Sequence, residues 1–172
     1  GFPTRRHGRG GDGHDGGGAQ LGLTYLARTD HTGERMRIVG ADFTYKKRQG
    51  RLLAWLLQGE AYHRYLQPAA LPLSEEIGAY FYAQRALGEQ WAAGLRLDTF
   101  TTPSLRLSNG EKRSNLDYSL VPVITYKASE FSTVRFAYTY STETREGDSD
   151  RIEQRFELQL VAVLGSHPTH DF

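Results

Sequence analysis

The chain has 172 residues, enough for one domain, and its 21 Lys+Arg nearly balance 20 Asp+Glu, so there is no global basic field of the kind that binds nucleic acid. It has no cysteine, which excludes a disulfide framework and a thiolate metal site. No stretch approaches the roughly 18 apolar residues of a membrane helix, and the mean hydropathy is −0.56.

The first residues, Gly1-Phe2-Pro3-Thr4-Arg5-Arg6, include neither an initiator Met nor an apolar signal segment, so a processed or truncated chain is expected. Residues 1–20 are rich in glycine and histidine. Such a segment has little apolar surface to bury and is costly to order, so it is expected to be disordered. From Leu21 to the end the hydropathy pattern has period two, the signature of strands with one apolar face.

Eight segments alternate. The first, Leu21 to Thr29, sets Leu21, Leu23 and Tyr25 on one face. In the second, Val39, Ala41, Phe43 and Tyr45 are assigned to the apolar face, and Arg37, Gly40, Asp42 and Thr44 to the polar one. The third runs from Leu52 to about Tyr65, with Leu53, Trp55, Leu57, Gly59 and Ala61 against Gln58, Glu60, Tyr62 and Arg64. The fourth opposes Ile77, Ala79, Phe81 and Ala83 to Gly78, Tyr80, Tyr82 and Gln84. The fifth sets Trp91, Ala93, Leu95 and Leu97 against Gly94, Arg96 and Asp98.

In the sixth, Leu116, Tyr118, Leu120, Pro122, Ile124 and Tyr126 oppose Asp117, Ser119, Thr125 and Lys127. Pro122 lacks an N–H, which predicts a bulge or weak pairing. The seventh sets Val134, Phe136, Tyr138 and Tyr140 against Arg135, Ala137, Thr139 and Ser141. The eighth turns Phe156, Leu158, Leu160, Ala162 and Leu164 outward and Glu157 and Gln159 inward.

A soluble β-sandwich also alternates. Two features favour a transmembrane barrel instead. The polar face mixes small residues, tyrosines and charges of both signs, which suits a wet or ion-paired lumen. Short connections near Lys47–Gly50, Gly88–Gln90 and Ala128–Phe131 also alternate with mostly longer, more polar ones near Asp30–Arg35, Gln67–Glu75, Pro103–Ser114 and Glu143–Asp150. Short turns on one side and long loops on the other are the outer-membrane arrangement, and they put both chain ends on the periplasmic side. The expectation is an all-β, antiparallel up-and-down transmembrane β-barrel over residues 21–172, with eight strands in this chain.

The stretch Ile124-Thr125-Tyr126-Lys127-Ala128-Ser129-Glu130-Phe131-Ser132-Thr133-Val134-Arg135-Phe136-Ala137-Tyr138 resembles the penultimate hairpin of a proteobacterial outer-membrane family. Its members are called porin-like proteins or zinc-regulated TonB-dependent outer-membrane receptors. The family ending, Gly-Ala-His-Pro-Ala-His-x-Phe, looks like Gly165-Ser166-His167-Pro168-Thr169-His170-Asp171-Phe172, and the strand Gly40–Lys46 is also similar to one in that family. The likeness covers mainly residues 36–47 and 120–172. Departures are Lys127-Ala128 where the family tends to carry Trp-Pro, and Ser166 and Thr169 where alanine is common. The resemblance implies the bacterial outer membrane, and Phe172 as the terminal aromatic read by the barrel-assembly machinery. Complete members are longer, which makes this chain the last eight strands of a larger barrel if the likeness holds.

Candidate site residues follow from the two faces. Arg37, Asp42, Glu60, Arg64, Arg96, Asp98, Arg135 and Glu157 are assigned to the lumen, as ion-paired filling in a closed eight-stranded barrel or as channel lining in a larger one. Tyr25, Trp55, Trp91, Tyr118, Tyr126, Tyr138 and Tyr140 are assigned to the lipid-facing girdles. His7 and His14, near Asp12 and Asp15, and the pair His167 and His170 carry donors that zinc accepts; a solvated linker and a structural rim are the plainer readings. Ser166, His167 and Asp171 supply hydrolase residue types but are too close in sequence to be taken for a triad.

No phosphate loop or zinc-protease motif occurs, so no enzyme and no required cofactor is expected. The expected function is porin-like solute passage across the outer membrane, or anchoring in it. The alternatives are a packed barrel that presents binding loops and the barrel part of an energy-coupled zinc receptor. The expected partners are outer-membrane lipid, the assembly machinery, and a small solute or metal ion.

Overall fold

The structure is a computed structural model that describes residues 15–50, 52–67, 74–106, 112–129, 131–145 and 150–163. It contains eight strands: β1 (Gly16–Thr29), β2 (Arg35–Gln49), β3 (Leu52–Gln67), β4 (Ser74–Ala86), β5 (Trp91–Arg106), β6 (Lys112–Lys127), β7 (Ser132–Arg145) and β8 (Arg151–Ala162). All are antiparallel to their neighbours and form one sheet in chain order. Among the described residues there is no helix and no second layer. A sandwich, the main alternative from alternation alone, is therefore not the architecture of these residues.

β1 starts at Gly16, earlier than the pattern predicts, and Gly16 to Gln20 pair with Arg48 to Thr44. Glycine carries no side chain to report a facing preference, so hydropathy could not place this end; the length of β2 supplies its partner. Residues 16–20 of the segment expected to be disordered are therefore strand, and the rest of it, apart from Asp15, lies outside the described residues. Asp15 itself accepts a hydrogen bond from the Gly50 amide at 3.1 Å.

The connections span residues 50–51, 87–90 and 128–131 on one edge, and 30–34, 68–73, 107–111 and 146–150 on the other. The alternation of lengths persists but is narrower than the sequence suggests, because the strands run into the predicted loops, as at Arg106 and Lys112. The short edge is knitted laterally. Lys127 donates its amide to the Gln90 carbonyl and Val163 donates to that of Phe131, both at 2.8 Å. β1 begins and β8 ends on this same edge, as the paired residues Gly16–Arg48 and Ser132–Ala162 require.

Register is continuous over most of the sheet. It shifts between Lys47 and Arg48, and again between Thr102 and Leu105. Pro122 pairs with Leu95 on β5, but toward β7 the ladder lapses between Leu120–Tyr140 and Val123–Ala137 and resumes in the same register. The missing N–H weakens pairing on one side without inserting a residue, the second of the two outcomes expected there.

Among the described residues the eight strands do not close on themselves. β1 pairs with β2 alone and β8 with β7 alone, so the sheet has two free edges, and both edge strands are exposed along nearly their whole length. No side chain among the described residues is fully buried.

The first hairpin shows how one connection is fixed. Asp30 Oδ1 accepts from the Thr32 hydroxyl (2.6 Å), the Thr32 amide (2.8 Å) and the Glu34 amide (3.0 Å). Gly33 turns the chain at φ 85°, a conformation that suits glycine. The Thr32 hydroxyl, with the two amides and Arg28, holds the Asp30 carboxyl below its ordinary 3.8. A depressed carboxyl stabilises the turn above its unfolded value, and that contribution is lost as pH falls through the lowered one. In an acid titration followed by NMR, the Thr32 and Glu34 amide shifts should move together with a common midpoint below 3.8, and Asp30→Asn should abolish that step. A midpoint above 3.8 would contradict the arrangement.

Candidate functional site

Directly paired residues on adjacent strands point to the same side of a sheet, so the register sorts every side chain. One face carries the apolar set. Leu23, Ala41, Ala61, Ala79, Thr99 and Tyr118 lie in one row, and Leu21, Phe43, Gly59, Phe81, Leu97, Leu120 and Tyr140 in the next. This face is open to its surroundings, with Leu23 90% and Leu160 72% exposed. The other face is polar, and most of the buried residues belong to it: Ala92, Val123, Thr125, Ala137, Glu76 and Gly78, with Gly59 and Thr142 the exceptions. A flat single layer would expose both faces alike. Burial on the polar side follows if the sheet curls around it, so the polar face is the concave one.

The centre of that hollow is a row running Gly22, Asp42, Glu60, Tyr80, Asp98, Ser119, Ser141 and Glu153. Asp98 is its best-anchored member. It accepts from Arg96 Nε and the Ser119 hydroxyl, at 2.7 and 3.0 Å, while the Arg96 guanidinium also lies 4.4 Å from the Tyr80 ring centre. Asp42 and Glu60 face each other directly, and among the described residues neither makes an ion pair. The Asp42 carboxylate leans over Gly22, into space a side chain there would need. The Tyr62 ring covers Gly78 and the Tyr82 ring covers Gly94 in the same manner. Glu60, Tyr62, Arg96, Asp98, Asp117 and Ser119 line part of a cavity of about 380 Å³.

Seven of the eight residues assigned to the lumen lie on the polar face. Arg64 pairs with Glu76, and Arg155 with Glu157 at 3.0 Å. Arg135 sits between Thr125 and Gln159. The eighth is a correction. Arg37 pairs with Ala27 and Tyr65 and shares the face of Val39, so it points away from the hollow. Its charge suggested the polar face, but it is two residues from Val39 with no bulge between, and period two allows only one side.

Glu76 was missed by the sequence reading because it precedes the recognisable alternation of β4. Its one available signal is its parity with Gly78 and Tyr80. Tyr62, Tyr80 and Tyr82 had been placed on the polar face but not counted with the site.

All seven girdle residues lie on the apolar face. Trp55, Trp91 and Tyr126 cluster at the short-turn end, where Trp91 and Tyr126 rings are 4.6 Å apart and Arg85 lies 5.4 Å from the Trp55 ring. Tyr25 is near the other end, whereas Tyr118, Tyr138 and Tyr140 fall in the middle of their strands. His7, His14, His167, His170 and Phe172 lie outside the described residues. Among the described residues no three His, Asp or Glu side chains gather as a metal ion would need.

No known protein family, curated protein or solved structure matches the chain. Chemically, the concave face offers ion pairs, hydroxyls and phenols along a wide trough. That suits contact with water and polar solutes.

Glu76 is 8% exposed and Arg64 is its partner. Arg64→Met should strand that carboxylate and destabilise the sheet by about 1–3 kcal/mol in urea titration. The double variant Arg64→Met/Glu76→Leu should recover most of the loss. Equal stability of the single variant and wild type would show that the pair does not hold β3 to β4.

Proposed function

We propose that this chain is wall of a porin-like β-barrel in a bacterial outer membrane, with the concave polar face toward a solute path and the apolar face toward lipid. The unroofed apolar face carries this reading. Across the sheet it presents large side chains such as Leu21, Ile77, Phe81, Leu97, Leu120, Phe136 and Leu158, each at least 40% exposed, with no second layer of described residues against them. Contiguous apolar surface on that scale is strongly unfavourable in water. Hydrocarbon covers it without needing a partner fold, and antiparallel strands satisfy their backbone groups laterally. The family likeness of residues 120–172 supports the outer membrane in particular. The free edges of β1 and β8 support a barrel of more than eight strands, in which further strands complete the wall.

Flotation on a density gradient tests the lipid face: the protein should rise with phosphatidylcholine vesicles and resist alkaline washing. Leu97 lies mid-strand on the apolar face, so Leu97→Arg in vesicles should cost about 2–4 kcal/mol. On a solvated face the same change would fall within about 0.5 kcal/mol, and that result would overturn the membrane reading. Single-channel recording in planar bilayers tests the path itself. Discrete steps are expected, and their absence at every voltage would remove solute passage while leaving the membrane wall.

A further inference from the structure

The apolar face carries charge at Lys47 and Arg85 toward the short-turn end, at Glu75 near the start of β4, and at two arginines side by side on β2. Arg35 and Arg37, at the start of β2, lie on the same side as Val39, Tyr25 and Tyr65. Both are exposed, and among the described residues neither makes an ion pair. With Tyr25, Val39, Tyr65 and Gln67 they line a hollow of about 460 Å³ at the end of the sheet away from the short turns. An adjoining hollow of about 350 Å³ brings in Arg28 from the rim of the other face. Asp30 is held by its own turn, and Glu75, opposite Tyr65, lies 3.6 Å from His63. Glu34 lies in the turn itself, where its amide donates to Asp30 Oδ1.

We infer that this hollow is a binding site for a phosphate-bearing lipid headgroup in the leaflet at the long-connection end of the barrel. The inference rests on the membrane reading above and deepens it. A guanidinium on a lipid-facing surface is tolerated only near the interface, so this end of β2 lies at headgroup depth. Two guanidiniums two residues apart on one strand offer parallel forks to phosphate oxygens, the geometry for which arginine is suited. Tyr25 and Tyr65 flank them with rings that sit at the same depth, and Val39 begins the apolar surface along which acyl chains would lie. A free phosphate would use the forks alone. A lipid would use the forks and the apolar surface together, so the surroundings select the lipid.

Calorimetric titration of the protein in non-ionic detergent tests this with three probes: dihexanoyl phosphatidic acid, inorganic phosphate and dihexanoyl phosphatidylcholine. Phosphatidic acid should bind most tightly, and Arg35→Gln/Arg37→Gln should weaken it by about tenfold or more. Lys47→Gln, at the other end of the same face, should bind as wild type. If the glutamine pair loses its β-sheet circular dichroism, Arg35→Lys/Arg37→Lys keeps the charge, removes the forks and should still bind several-fold more weakly.

Inorganic phosphate binding as tightly as the lipid would overturn the lipid as occupant. Equal weakening by Lys47→Gln would overturn the site in favour of diffuse attraction, and undiminished binding by the arginine variants would overturn it outright. Flotation separates the two levels of the argument. Protein that fails to rise with phosphatidylcholine vesicles refutes the membrane reading and the lipid site together. Protein that rises but shows no arginine dependence refutes the site alone.

Discussion

A strand's successive side chains leave on opposite sides, and a residue on one strand shares its side with its partner on the next. Carried through eight antiparallel strands with few shifts in register, that rule divides the molecule into two chemical surfaces. Among the described residues no second layer lies against either of them, so each surface must meet its own surroundings. Water suits the face bearing Asp42, Glu60, Asp98 and Glu153; it does not suit the face bearing Leu23, Phe81, Leu97 and Leu158. The curl of the sheet then assigns the polar side to the inside. Fold, site and proposed setting all descend from this one partition.

The same regularity explains how much of the fold is legible in the sequence. All eight strands and their order along the chain follow from period two, because nearly every strand has several large apolar residues on one parity. Boundaries were legible only where side chains report a face. Gly16 to Gly18 report none, so the start of β1 was invisible, and the polar ends of β5 and β6 resembled loops. The residues of the polar face are legible by parity, and Arg37 falls on the other face because parity outranks charge. Ion-pair partners such as Arg64 and Glu76 were not legible, since pairing depends on the register between strands, which hydropathy on one strand does not specify. Closure was beyond the pattern for the same reason: alternation counts strands but says nothing of whether the first meets the last.

Local devices keep the polar face ordered despite its content. Cross-strand aromatic rings over Gly78 and Gly94 fill space on the concave side that a second large residue would overcrowd. Such pairing lets tyrosines lie flat along the wall rather than block the trough. Asp98 is fixed by both Arg96 and Ser119, and Arg96 in turn covers Tyr80, so a charged pair is braced on three strands. Its neighbours in the row lack this bracing.

That contrast bears on whether the hollow is packed or wet. Asp42 and Glu60 stand directly opposite each other, and like charges in that position repel. In an eight-stranded barrel the interior is about filled by side chains, and two unpaired carboxylates there would carry a desolvation cost that no neighbouring cation offsets. In a wider enclosure water hydrates both, and the repulsion falls with the higher dielectric. The free edges of β1 and β8 point the same way, since a sheet that does not close on itself at eight strands leaves room for more wall and a broader lumen. Within the proposed barrel, two unrelated features, an unneutralised pair of acids at the centre and unpaired strands at the margins, support a water-filled passage over a packed interior.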